Sequence, residues 1–165
     1  MICDTYEEFS DELKKRLINN YDLEFIAVPF ISEQIKARNV NNWLTDFYFE
    51  NVYTEEDKYF YAARLVLCLS DLNIAANEVF SDAIQRENEE LRKSGIMAFS
   101  RFTSETSLGY LKVHESHETN NVLMKFTQDI INTMKLVLEK DKTDHQISEI
   151  SKTESVNEII ITEDI

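Results

Sequence analysis

Glycine and proline are almost missing from this chain, which has two of the first and one of the second in 165 residues. Tight hairpins and glycine-rich phosphate loops depend on both residues, so sheet folds and nucleotide-cradling loops lose ground from the start. Cysteine is equally scarce. Cys3 and Cys68 lie far apart, and Cys68 falls within the apolar run Leu65, Val66, Leu67, Leu69, where it reads as a small core residue. No disulfide framework is indicated, and a reducing, cytoplasmic setting is the simpler expectation. Long hydrophobic runs are missing too: nowhere do about eighteen uncharged apolar residues stand together. The chain opens on Asp4, Glu7 and Glu8, with no basic and apolar leader. Neither export nor a membrane partner is expected.

Positive charge is also in short supply. Seventeen Lys and Arg against thirty-one Asp and Glu give a formal net charge of −14. Such a surface repels phosphate backbones and anionic lipid heads and attracts basic surfaces over a Debye length. Nucleic acid is therefore not expected as a partner, whereas another protein with a basic surface is.

What the chain does have is apolar material: 43% hydrophobic residues, including ten Phe, seven Tyr and one Trp. That is enough to fill one core at this length. The spacing is helical. Thr5 with Glu8 forms a capping box before Tyr6, Phe9, Leu13 and Leu17, and this first helix is predicted to end near Asn19 and Asn20. The stretch from Leu23 to Ile35, interrupted at Pro29, suits a short strand or a buried helix, and helix is preferred. Asn41 and Asn42 start a third helix with Trp43, Leu44, Phe47 and Tyr48 on one face. A second capping box, Thr54 with Asp57, opens a fourth helix carrying Phe60, Ala63, Val66, Leu67 and Leu69.

Asn73 is predicted to start a fifth helix, the charged run from Arg86 to Glu90 to be a connection, and Leu91 to begin a sixth helix ending before Thr103 to Thr106. A short seventh helix follows with Leu108 and Leu111. The strongest periodicity is the stripe Leu123, Phe126, Ile130, Met134, Val137 and Leu138. Beyond Leu138 it collapses, and from Glu139 onward eight acids face three bases. The expected organisation is a single helical domain over residues 1–138 with a flexible acidic tail over 139–165. The fold class is all-α: a compact bundle or a short stack of α-hairpins with seven or eight helices.

Sliding the chain on itself so that Ala62 meets Gly95 also pairs Ala63 with Ile96, Val66 with Phe99, Leu69 with Phe102 and Asp71 with Ser104. With its helix, turn and helix, the segment from Leu91 to Leu111 resembles a HEAT-type repeat, and the likeness extends over about residues 58–138. HEAT units run to about forty residues or more, and the first fifty residues here fit no such unit. The resemblance implies a scaffold for protein binding, without catalytic residues. An irregular helical bundle predicts nearly the same helices and stays open beside it.

The one cluster with a metal-like look is His114, Glu115, His117 and Glu118, since histidines three apart share a helical face. No third ligand is evident, and the stretch from Glu115 to Asn121 reads as a solvated connection. No nucleophile elbow, P-loop or dinucleotide fingerprint occurs, so no catalytic residue and no cofactor is assigned. Near the C-terminus, Ile159, Ile160 and Ile161 followed by Glu163 and Asp164 resemble a SUMO-interacting motif. These five residues, together with Trp43, Tyr48 and Tyr53 and the neighbouring Glu55 and Glu56, are the candidate partner-binding positions. The aromatics would serve as anchors if partly exposed.

The expected function is therefore an acidic protein-binding module, not an enzyme. The leading form is an inhibitor, or an immunity or antitoxin-type protein, that masks a basic partner surface. Two alternatives remain: a HEAT-like adaptor or host-directed scaffold, and a small metal-dependent hydrolase using His114 and His117. A buried cleft with converging histidine and carboxylate side chains would count against the binding reading.

Overall fold

The computed structural model describes the backbone of residues 1–18, 23–52 and 59–163, and the side chains of these residues except 24 and 154–163. Among the described residues there are eight helices and no strand: α1 (Tyr6–Leu17), α2 (Leu23–Ala37), α3 (Asn41–Val52), α4 (Tyr59–Asp71), α5 (Asn77–Ala83), α6 (Glu89–Arg101), α7 (Glu105–Glu115) and α8 (Asn121–Glu163). They form a compact bundle, as the apolar spacing requires. The proposed capping box at Thr54 and Asp57 lies outside the described residues.

Helix α1 starts as its sequence dictates. The Thr5 hydroxyl accepts from the Glu8 amide, and Phe9, Leu13 and Leu17 go inward. Phe9 stacks on Phe30 of α2, with ring centroids 5.8 Å apart, and lies 5.5 Å from Trp43 of α3. These rings join the first three helices. Pro29 sits inside α2 with its ring exposed, so the hydrogen bond it deletes lies on the outer side of the helix. Gln34, fully buried, accepts from the Cys3 amide at 2.9 Å and donates to the Met1 carbonyl at 2.6 Å, which lays the first residues along α2.

Helix α4 is central, packing on α1, α2, α3 and, most extensively, α6. Its Ala62, Leu65, Val66, Cys68 and Leu69 are all buried. Asn73 corrects the sequence reading: it ends α4 and does not begin α5. Its φ of 55° puts it in the left-handed region, and the Ile74 amide reaches back to the Leu69 carbonyl at 2.9 Å, a wrapped helix C-terminus. Asn is among the few side chains that tolerate that backbone, and α5 starts only at Asn77.

Gly95 lets α6 approach the end of α5. A methyl group at this position would meet Ile84 Cγ2 at 2.8 Å and Ala83 Cβ at 3.0 Å. The last helix buries Leu123, Thr127, Ile131 and Met134. It then runs on past Leu138 to Glu163, so the fading of the apolar stripe marks the point where the helix leaves the body. From Glu139 to Thr153 every residue is exposed.

Candidate functional site

A recess of about 900 Å³ lies between α7 and the connection from α5 to α6. One wall is the segment Ile84 to Glu87. The other is the face of α7 carrying Thr106, Gly109, Tyr110 and Val113, and the turn after α7 closes one end with His117, Glu118 and Thr119.

The sequence of α7 explains why this face is free. Ser104 caps the helix, accepting from the Ser107 amide at 3.0 Å. Leu108, Leu111 and His114 fall three residues apart on the buried side, which leaves Gly109 and Val113 on the other. Val113 is 64% exposed. Tyr110 stacks one ring face on Phe99 of α6, with centroids 5.2 Å apart, and lends its remaining surface to the cleft. Gly109 is open: a methyl group built on it would meet nothing within 4 Å.

Beneath this shelf lies a charged cluster. Arg92 of α6 meets Glu118 side-on, Nε to Oε2 and Nη2 to Oε1, both at 3.1 Å. Arg92 Nη1 also donates to the carbonyls of Arg86 and Glu87. Glu118 Oε1 accepts from the amides of Thr119 and Asn120, and the carboxylate is only 1% exposed. Burial by itself would raise its pKa. The Asn120 amide, the Arg92 guanidinium and the nearby His114 outweigh that and hold it below the usual carboxylate value.

His114 is buried, and its Nε2 lies 2.8 Å from Glu118 Oε2. The contact is close but off the hydrogen-bond direction, so Nε2 has no aligned partner. Burial lowers the His114 pKa, and Arg92 adds to this. Glu118 and a bond to the Ile84 backbone oppose the shift without reversing it. Folding therefore favours the neutral form of the ring. His117, by contrast, is exposed, with Nδ1 2.9 Å from the Val113 carbonyl and 2.8 Å from Ser116 Oγ.

The expected connection between two helices is there, exposed at Ser116, His117 and Thr119, but it is not solvated throughout, since Glu118 is buried within it. His114 and Glu118 are buried because Arg92, 26 residues upstream, supplies a counter-charge that local spacing cannot reveal. The structure does bring a histidine and a carboxylate together in a cleft, the arrangement that would favour a reacting centre. Glu118 is engaged by Arg92 and two backbone amides and His114 by the Ile84 backbone, while His114 Nε2 is left without an aligned partner and His117 bonds back to the Val113 carbonyl. Among the described residues no three His, Cys, Asp or Glu side chains converge as a metal ion requires.

The partner-binding candidates fare unevenly. Trp43 is half-buried between Tyr6 and Phe9. Tyr48 is fully buried, and its hydroxyl donates to Asp82 at 2.8 Å, so its ring belongs to the core and not to a contact surface. Tyr53, Glu55, Glu56 and Asp164 lie outside the described residues. Ile159, Ile160, Ile161 and Glu163 fall on α8, but their side chains are likewise outside the described set. Sequence reasoning missed the shelf of Gly109, Tyr110 and Val113. Its signal was the exposed i, i+4 pair of Gly109 and Val113 opposite Leu108 and Leu111.

No helix among the described residues is long and apolar enough to cross a membrane. Comparison with protein-family models, with curated proteins and with solved structures finds no match to this chain.

Proposed function

We propose that the protein is an acidic protein-binding module that masks a basic surface of its partner, in the manner of an inhibitor or an immunity or antitoxin-type protein. One observation carries the reading: the cleft offers an apolar shelf of Tyr110 and Val113 for contact, beside an arginine and a buried carboxylate, Arg92 and Glu118, that are paired with each other. A contact surface needs apolar area and complementary charge, and the chain has both. Steering by a net charge of −14 would speed association with a basic partner and make it sensitive to salt.

The test is affinity capture from the native source at low and at high ionic strength. A basic protein captured at low salt and released at high salt supports the reading. Capture that salt does not weaken, or no capture at all, counts against it.

A second reading, the small hydrolase, draws on the closeness of His114 and Glu118 at the cleft floor. It needs a metal ion or a nucleophile beside that pair. Elemental analysis of the purified protein tests it, and a stoichiometric transition metal lost in a His114→Ala variant would favour it.

A further inference from the structure

Gly109 is one of only two glycines in the chain, and it sits in the middle of α7. Glycine in a helix interior costs about 1 kcal/mol relative to alanine. Gly95 has an internal reason for that cost, because a methyl group there would collide with Ile84. Gly109 has none. Among the described residues nothing comes within 4 Å of where its Cβ would stand, and Gly109 lines the cleft. A helical glycine facing an open groove permits close approach by something outside the chain.

The groove limits what that something is. Helix α7 has 11 residues, roughly 16 Å of length, enough to lie against about three turns of another helix. Its exposed Val113 and half-open Tyr110 flank Gly109 and supply apolar contact. Charge at the mouth is selective. Arg86 is paired to Asp82 and Arg92 to Glu118, whereas Glu87 and Glu105 stand exposed on opposite walls, with Lys142 of α8 touching Glu105. Two copies of a chain with net charge −14 repel each other, so a second copy is a poor occupant.

We propose that the α7 cleft seats an amphipathic helix of a partner protein, crossing closest at Gly109, with its apolar face on Tyr110 and Val113 and basic residues along its flanks. The proposal rests on the binding-module reading and names the seat and the chemistry of the partner. An apolar stripe supplies the anchoring, and the flanking Lys or Arg meet the exposed Glu87 and compete with Lys142 for Glu105.

The experiment uses the full chain and two synthetic helical peptides of about eighteen residues that share one leucine face, one flanked by lysine and the other by glutamate. Binding is read by fluorescence anisotropy against the wild type and a Gly109→Leu variant. The first carbon of a side chain at this position meets nothing within 4 Å, and leucine is chosen to reach from there into the groove; circular dichroism with thermal melting checks that the fold is kept.

The expected result is binding of the lysine-flanked peptide that weakens at least tenfold in Gly109→Leu, with the glutamate-flanked peptide bound more weakly than either. Equal affinity for wild type and variant places the peptide elsewhere on the acidic surface and overturns the proposal. So does failure of the lysine-flanked peptide to bind, or self-association of the wild type that Gly109→Leu abolishes. If native capture succeeds and Gly109→Leu leaves it unchanged, the seat is wrong while the binding function stands. If nothing is captured, the function itself fails.

Discussion

Arg92 and Glu118 meet through two parallel hydrogen bonds of 3.1 Å, joining α6 to the turn before α8 around a carboxylate that is almost wholly buried. Removing the guanidinium leaves that charge uncompensated, which typically costs about 3–5 kcal/mol. Arg92→Ala should lower the melting temperature by roughly 6–20 °C at this chain length. The double variant Arg92→Ala with Glu118→Ala should lose at least about 1 kcal/mol less than the sum of the single losses. Strict additivity in thermal or urea unfolding would show that the pair is not coupled.

The same cluster sets a pH dependence. His114 has a folded pKa below its ordinary 6.5, chiefly through burial. The unfolded chain therefore takes up a proton that the folded chain refuses, and stability falls as pH drops from 6.5 towards the folded value. Glu118, also depressed, acts in the same direction below its ordinary 4.5. The wild type should lose more stability between pH 7.5 and 5.5 than His114→Gln, measured as urea midpoints. Parallel losses in the two proteins would refute the assignment.

The two glycines should respond oppositely to alanine. Gly109→Ala gains helix propensity and meets no neighbour, so it should stabilise the protein by about 0.5–1 kcal/mol. Gly95→Ala drives a methyl group against Ile84 and Ala83 and should destabilise it by about 1–3 kcal/mol. Chemical denaturation of the two variants decides the matter, and equal signs would contradict the geometry.

Both thiols are buried, and both are harder to ionise than usual. Burial, with Asp71 nearby, pushes the Cys68 pKa up to about 12. The thiolate is the reactive form, so neither cysteine should react with an aromatic disulfide reagent in the native protein over minutes at pH 8, and both should react in denaturant. Rapid native labelling of Cys68 would mean that the core around α4 opens far more readily than its packing implies, and rapid labelling of Cys3 that the first residues lift off α2.

Much of this architecture is legible in local spacing, because helices bury one face. Thr5, Phe9, Leu13 and Leu17 define α1 from cap to core, and Leu91, Ile96 and Phe99 do the same for α6. Legibility fails in three physical situations. Asn73 is equally at home starting a helix or ending one in the left-handed region, and only the chain's path decides. The burial of His114 and Glu118 depends on Arg92 from another helix, a partner that no window of sequence contains. Periodicity reports burial and not helicity, so α8 continues beyond Leu138 after its apolar signal has ended. The shelf on α7 was hidden for a related reason: Tyr110 and Val113 look like ordinary core residues until the neighbouring wall is found to stand away from them.

The bare length of α8 acts at a distance. From Glu139 to Thr153 it extends roughly 20 Å at 1.5 Å per residue, well past the ~8 Å over which physiological salt screens a charge. Over that span the acids Glu139, Asp141, Asp144 and Glu149 stand beside Lys140, Lys142 and Lys152, so the projecting helix adds reach but little net charge of its own. Truncation at Leu138 would take away Lys142 and so leave Glu105, at the mouth of the cleft, without its partner.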